Sequence, residues 1–320
     1  MRHHLEYALV LVIRGLVRLL PRQASLGLGA GLGTLFYHLH GSRRELALAN
    51  LRAAFPSRTE AECRAILRST FQHCGRHVIE LLNFYVMSTH EMTRLLEVQG
   101  GEHVEQAMAG GKGMVFFSGH FGYWELQVMG QAVLYAPIVM IVRTLDNPLL
   151  ERLIERIRTR VGTRVVPRQG AIRGLLRGLI ERAPVAMMID QHIHDRSAVT
   201  VDFFNRPAAT TSAVAMLALR TGALVIPVFA LPLPGGRYRL VYEAPVEPPA
   251  DDDPDPVRTY TQRCTDVLEM YVRRYPELWL WMHRRWRDDA EEVSDNVDRS
   301  TGSPTADTLP EPAARKDSLP

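Results

Sequence analysis

The chain has 320 residues, 46% hydrophobic and 23% charged, which fits one large globular domain or two ordinary ones and excludes a chain disordered throughout. Cys63, Cys74 and Cys264 stand far apart with no CxxC spacing, which disfavours a disulfide scaffold or a thiolate zinc site and suits a reducing compartment. The net charge of +3 hides an asymmetry, with −6 over residues 288–320 and +9 over the rest, carried almost wholly by arginine since Lys112 and Lys316 are the only lysines.

At the N-terminus, Tyr7–Leu20 (YALVLVIRGLVRLL) is apolar apart from Arg14, Gly15 and Arg18. The two arginines stand at i and i+4, on one helical stripe. An Arg at a bilayer centre costs about 2.5–3.5 kcal/mol, so two of them favour a helix lying in the interface over one that spans. No apolar run reaches the roughly 18 uncharged residues of a conventional span, and no A-x-A-like cleavage site follows. Pro21 breaks the helix, and a second apolar helix runs over Ala24–His38, whose Gly27, Gly29, Gly31 and Gly33 permit close helix contact. Residues 1–40 are therefore expected to be membrane-docking helices, with a pair of core helices as the competing reading.

Residues 41–287 are expected to form the main domain. It opens with a helical block over 43–95, comprising Arg43–Phe55 and, after Pro56, Thr59–Val86 capped by Ser57 or Thr59. Beyond Gly100 the pattern changes. Short apolar strands are predicted at Met114–Ser118, Pro137–Val142, Thr163–Val166, Val185–Ile189, Val225–Phe229 and Tyr238–Glu243. Helices are predicted between them at Gly122–Leu134, Asn147–Val161, Ala171–Arg182 and Ser212–Thr221. This alternation predicts an α/β fold with a mixed, largely parallel central sheet flanked by helices. DDDPDP at Asp251–Pro256 reads as a solvated loop before an amphipathic helix, Val257–Tyr275. Residues 288–320, acidic and without aromatics, are expected to form a disordered tail.

MVFFSGHFGYWEL at Met114–Leu126 carries the most chemistry. A buried strand ends at Ser118, Gly119 allows a turn, and His120 falls at the strand's C-terminal edge, where α/β sheets bind ligands. Glu125 follows five residues later. On one continuous helix the two would stand about 140° apart, so His120 belongs in the turn and Glu125 in the first helical turn. There Glu125 could accept from one imidazole nitrogen and free the other to act as a base. Ser118 beside His120 also raises a serine hydrolase, but the G-x-S-x-G elbow is missing. Asp190, His192, His194 and Asp195 carry ligand-type atoms, yet no further ligand group is obvious and no metal is expected. No nucleic-acid-reading module is present, and a non-enzymatic membrane scaffold would leave His120 and Glu125 unexplained.

The segment resembles the H-x4-[D/E] motif of the lysophospholipid acyltransferase superfamily. More narrowly, HFGYWE resembles the H-F-x-x-x-E form of the bacterial lipid A late (lauroyl/myristoyl) acyltransferases. RRELALANLRAAFP, NPLLERLIERIRTR at Asn147–Arg160, IDQHIHDRSAVTVDFF at Ile189–Phe204, PAATTSAVAMLA at Pro207–Ala218 and PELWLWMHRRWR at Pro276–Arg287 are similar to that family in order and spacing. Tyr123, where many members carry Asn, and His194 depart from its pattern.

The resemblance implies an O-acyltransferase in which His120 is the general base and Glu125 holds and polarises it. It implies that Arg158 engages a phosphate of acceptor or donor, and that Asp190 belongs to the site. It implies an acyl carrier protein thioester as donor, a hydroxyl of a membrane lipid A precursor as acceptor, no cofactor, and a place on the cytoplasmic face of the inner membrane. Another glycolipid or lysophospholipid acceptor, or acyl-CoA as donor, is the alternative. Without the resemblance, Arg152, Arg156, Arg158 and Arg160 would read as a solvated basic face, and Asp190, Thr210 and Thr211 as turn or helix caps. The Trp279–Arg287 segment could seat at a headgroup interface or bury against the sheet, with its first residues expected to bury and the arginines to stay wet.

Overall fold

The computed structural model describes residues 2–84, 86–142, 144–167, 171–193 and 198–286; the expected acidic tail lies outside them. Four helices come first: α1 (Arg2–Leu19), α2 (Arg22–Leu39), α3 (Gly41–Ala54) and α4 (Glu60–Phe84). Strands and helices then alternate through α5 (Thr89–Arg94), β1 (Leu96–Gln99), α6 (Gly101–Ala109), β2 (Met114–Ser118), α7 (Trp124–Leu134), β3 (Val139–Val142), α8 (Pro148–Thr159), β4 (Arg164–Pro167), α9 (Ala171–Ile180) and β5 (Val185–Met188). A hairpin of β6 (Ala198–Asp202) and β7 (Pro207–Thr211) precedes α10 (Ala213–Thr221), β8 (Leu224–Leu233), β9 (Arg237–Tyr242) and α11 (Pro256–Arg274).

Seven strands form one sheet in the order β1-β9-β8-β2-β5-β3-β4. Every pairing in it is parallel except β8 with β9. This is the α/β, largely parallel sheet that the alternation predicts. β2 lies at its centre with all five residues buried, because helices cover both faces. Val115 and Phe117 enter one layer of the core, with α9, α10 and α11, while Met114 and Phe116 enter the other, with α6, α7 and α8. A continuous apolar run is what such a strand requires.

Four elements, β1, α6, β6 and β7, escaped sequence reading, each for want of apolar pattern, while α5 falls within the helical block expected over 43–95. β1 (LEVQ) is an edge strand whose Glu97 faces Arg239 across the ladder, Nε to Oε1 at 2.8 Å. The β6–β7 hairpin is a separate two-stranded sheet rich in Ala and Thr. α5 has only six residues, started by a Ser88–Glu91 capping box, and α6 has nine.

The N-terminal helices differ in how they meet the body. α2 lies against α4 through Gly29, Gly33 and Gly75, and a Cβ at Gly33 would stand 2.0 Å from the Phe71 carbonyl oxygen. Gly27 and Gly31 have open space beside them. Arg22 and Tyr238 both hydrogen-bond the fully buried Glu80. Asn83 completes this network by donating to the other Glu80 oxygen at 2.9 Å. α1 buries only Val17 among its described residues. Its Leu5, Leu9, Val12, Leu16 and Leu19 are exposed, up to 83% for Leu19, and at 100° per residue they form one stripe. Arg14 and Arg18 fall on the opposite side of that helix. No described helix is long and apolar enough to cross a membrane.

Candidate active site

His120 and Asp190 are brought together by strand pairing. β2 and β5 are parallel neighbours with Ser118 opposite Met188, so the residues two beyond each strand emerge side by side at the C-terminal edge of the sheet. His120 Nδ1–H donates to Asp190 Oδ1 at 2.8 Å, and the His120 backbone N–H donates to Asp190 Oδ2 at 2.7 Å. Trp279 Nε1–H donates to the same Oδ2 at 2.8 Å. Gly119 is needed for close approach, since a Cβ there would stand 2.9 Å from Asp190 Oδ2 and from a Leu268 methyl. The turn is stitched to the Pro276–Leu280 segment, with Leu280 N–H on the His120 carbonyl at 3.0 Å and Gly122 N–H on the Leu278 carbonyl at 2.9 Å.

With Nδ1 donating, Nε2 is left as the acceptor, and the imidazole keeps 21% of its side chain exposed while Asp190 keeps 3%. The Gln191 side-chain amide lies 3.4 Å from Nε2. Burial works against charge on both groups. In His120 it is outweighed by the Asp190 carboxylate, its hydrogen bond and the Glu125 charge, which raise the imidazole above its ordinary pKa. In Asp190 it is outweighed by His120 and the Trp279 bond, and the carboxyl is held down at about 2. Trp124 meets the His120 ring edge-on at 5.4 Å and stacks with His77 at 3.8 Å. His77 is buried, and burial, then the neighbouring His73 and His120, push its pKa well down, so it stays neutral.

Glu125 does not meet His120. Its Oε2 accepts from Arg158 Nε at 3.0 Å and its Oε1 from Arg158 Nη2 at 2.5 Å, a two-point pair joining the first turn of α7 to the last turn of α8. The expected ring partner, Glu125, is thus replaced by Asp190, because strand order places Asp190 beside the imidazole and α8 places a guanidinium beside Glu125. Arg158 is 14% exposed, whereas Arg152, Arg156 and Arg160 are exposed. It stands apart from the basic face of its helix, and two of its donors are directed at Glu125 rather than outward.

A family model described as bacterial lipid A biosynthesis acyltransferase matches residues 1–288. The chain belongs to this family. The lipid A biosynthesis lauroyltransferase of Escherichia coli strain K12 is 29% identical over 282 residues, covering 87% of this chain and 90% of that protein. The lipid A biosynthesis myristoyltransferase of the same strain is 26% identical, covering 79% and 78%. A phosphatidylinositol mannoside acyltransferase of Mycolicibacterium smegmatis is 25% identical, covering 87% and 90%.

In this acyltransferase the PELWLWMHRRWR stretch supplies more than an aromatic rim. Trp279 reaches Asp190, a contact that sequence reading missed and that only the quoted stretch could have flagged. Arg285, expected in solvent, is 1% exposed. Its guanidinium donates to the Ala209 carbonyl at 2.7 Å and to the Thr210 hydroxyl, and stands over the Phe203 ring at 5.3 Å. The chain turns here, with the Arg285 N–H on the His283 carbonyl at 3.0 Å, and Arg284 stays exposed while Arg285 is buried. Thr211 Oγ1 accepts from Ala213 N–H at 3.3 Å, a local cap for α10. Ser118 is fully buried and its hydroxyl has no partner among the described residues. His194 and Asp195 lie outside the described residues.

Proposed function

We propose that this acyltransferase moves a fatty acyl chain from a thioester donor to a hydroxyl of a lipid A precursor, with His120 as general base. The observation that carries the reading is the Nδ1–H···Asp190 bond, which fixes the tautomer and leaves Nε2 basic. Nε2 takes the proton of the acceptor hydroxyl as its oxygen attacks the thioester carbonyl. Collapse of the tetrahedral intermediate breaks the C–S bond, and the imidazolium returns the proton to the departing sulfur. Asp190 stabilises the imidazolium between these events. A positioned base of this kind contributes about 10²–10⁴-fold. The nucleophile belongs to the acceptor, so no acyl-enzyme forms. Glu125 and Arg158 act as a fixed ion pair that anchors α7 behind the turn and adds negative potential near His120.

The donor in this reading is acyl carrier protein, and the place of reaction is the cytoplasmic face of the inner membrane. The exposed Leu5–Leu19 stripe of α1 is suited to lie in the lipid interface with its polar side toward the body. The breadth of the mycobacterial match favours one second reading, the same chemistry on another glycolipid acceptor. Incubating the purified chain with acyl carrier protein carrying a radiolabelled acyl group and, in separate reactions, lipid A precursor or a phosphatidylinositol mannoside tests both. Label in the lipid supports the reading, label released as free fatty acid identifies a hydrolase, and no turnover with either acceptor overturns acyl transfer.

A further inference from the structure

A crevice of about 660 Å³ lies between α2, α4 and the β8–β9 connection, and its lining includes none of His120, Glu125, Arg158 and Asp190. One face of α4 forms a wall, with Ser69, Gln72, His73 and Arg76 at i, i+3, i+4 and i+7. Arg237, at the start of β9, adds a second guanidinium to the lining.

The charges there are not balanced. Arg22, close by, is neutralised by Glu80 and donates to the Gly236 carbonyl at 2.8 Å. Arg76 and Arg237 have no ion-pair partner among the described residues, and Glu277, the carboxylate among the described lining residues, pairs with neither. His73 contributes no charge, since burial holds it at about 4 and its Nε2–H donates to the Gly122 carbonyl at 2.9 Å. What remains is two unneutralised guanidinia beside the Ser69 hydroxyl and the Gln72 amide, one of whose hydrogens goes to Thr34 Oγ1 at 3.2 Å. This donor set matches a group with several anionic oxygens. A hydrocarbon chain would strip water from these donors and return no hydrogen bonds.

We propose that this crevice binds a phosphate group, at a site separate from the reaction centre. Its bearer is either the lipid or the phosphopantetheine arm of the acyl donor, since both present this chemistry. An occupant would rest against Tyr123 and against His73, which holds Gly122, and so would brace the turn that carries His120 from behind. The proposal stands on the crevice alone and holds whether or not the chain transfers acyl groups.

Isothermal titration of the full chain with coenzyme A and, separately, with dihexanoyl phosphatidic acid below its micelle concentration tests it. One of the two should bind, and R76Q/R237Q should weaken that binding at least tenfold while His120→Ala leaves it within twofold. Binding of the lipid probe assigns the phosphate to the lipid, and binding of coenzyme A assigns it to the donor. If R76Q/R237Q does not fold, Arg237→Gln alone, at an exposed position, should weaken binding at least threefold. Wild-type affinity in a folded R76Q/R237Q, loss of binding in His120→Ala, or no binding of either probe to the wild type overturns the proposal.

Discussion

Two acid–base pairs stand within five residues of each other at the same end of the sheet, and they are built to opposite ends. In His120–Asp190 the base is a group that titrates near neutrality, one ring nitrogen is held and the other is left to accept. In Glu125–Arg158 the guanidinium donates to both carboxylate oxygens, and neither is left for a substrate. The first pair can therefore exchange a proton with a substrate, and the second can only hold geometry and potential. Proximity in sequence joined His120 to Glu125 in the motif. Function in the proposed mechanism divides them.

The comparison is broken most directly at His120. His120→Ala should lower turnover about 10²–10⁴-fold with its fold intact, measured by initial rates at saturating acceptor; wild-type turnover in a folded variant would sink the mechanism. Asp190→Asn should cost about 10⁴-fold, because the amide oxygen must go on accepting from the His120 and Trp279 N–H groups, which turns the NH2 toward Nδ1 and moves the ring proton to Nε2. A loss equal for His120→Ala, Asp190→Asn and their combination would show that the two act as one unit.

Breaking the second pair should show in stability before it shows in rate. Glu125→Gln leaves the mostly buried Arg158 charge uncompensated and should cost about 3 kcal/mol in denaturant unfolding. Adding Arg158→Met should recover part of that, and a double variant as unstable as the sum of the singles would mean that the pair is not coupled. Smaller again is the pH effect. His120 must be neutral to accept, so kcat/KM should rise with pH through a midpoint above the ordinary 6.5, and Asp190→Asn should move that midpoint down. Stability should run the other way for this group. The raised imidazole stabilises the fold below its unfolded pKa and loses that contribution as pH rises through the folded one. Asp190 contributes above the ordinary 3.8, and its contribution fades as pH falls toward about 2. Truncation after Arg287 should change transfer least, within about twofold, since the removed segment has little apolar surface to bury against anything.

The same contrast runs through what could be read from sequence. The amino-acid order by itself determined the α/β class, the buried β2 strand with His120 just past its end, the acidic residue ending the β5 run, and an N-terminal helix with a continuous apolar stripe. Those features rest on local periodicity and on which residues may follow a buried strand. The tertiary structure alone decided that β5 lies next to β2, and with it that Asp190, seventy residues away in the chain, accepts from the imidazole in place of Glu125. It also decided that Glu125 takes Arg158, that Trp279 reaches Asp190, and that Arg285 is buried while Arg284 is not. Strand order and helix placement are set by how whole apolar faces pack, and no short window of sequence carries the distance between side chains that meet only across those faces.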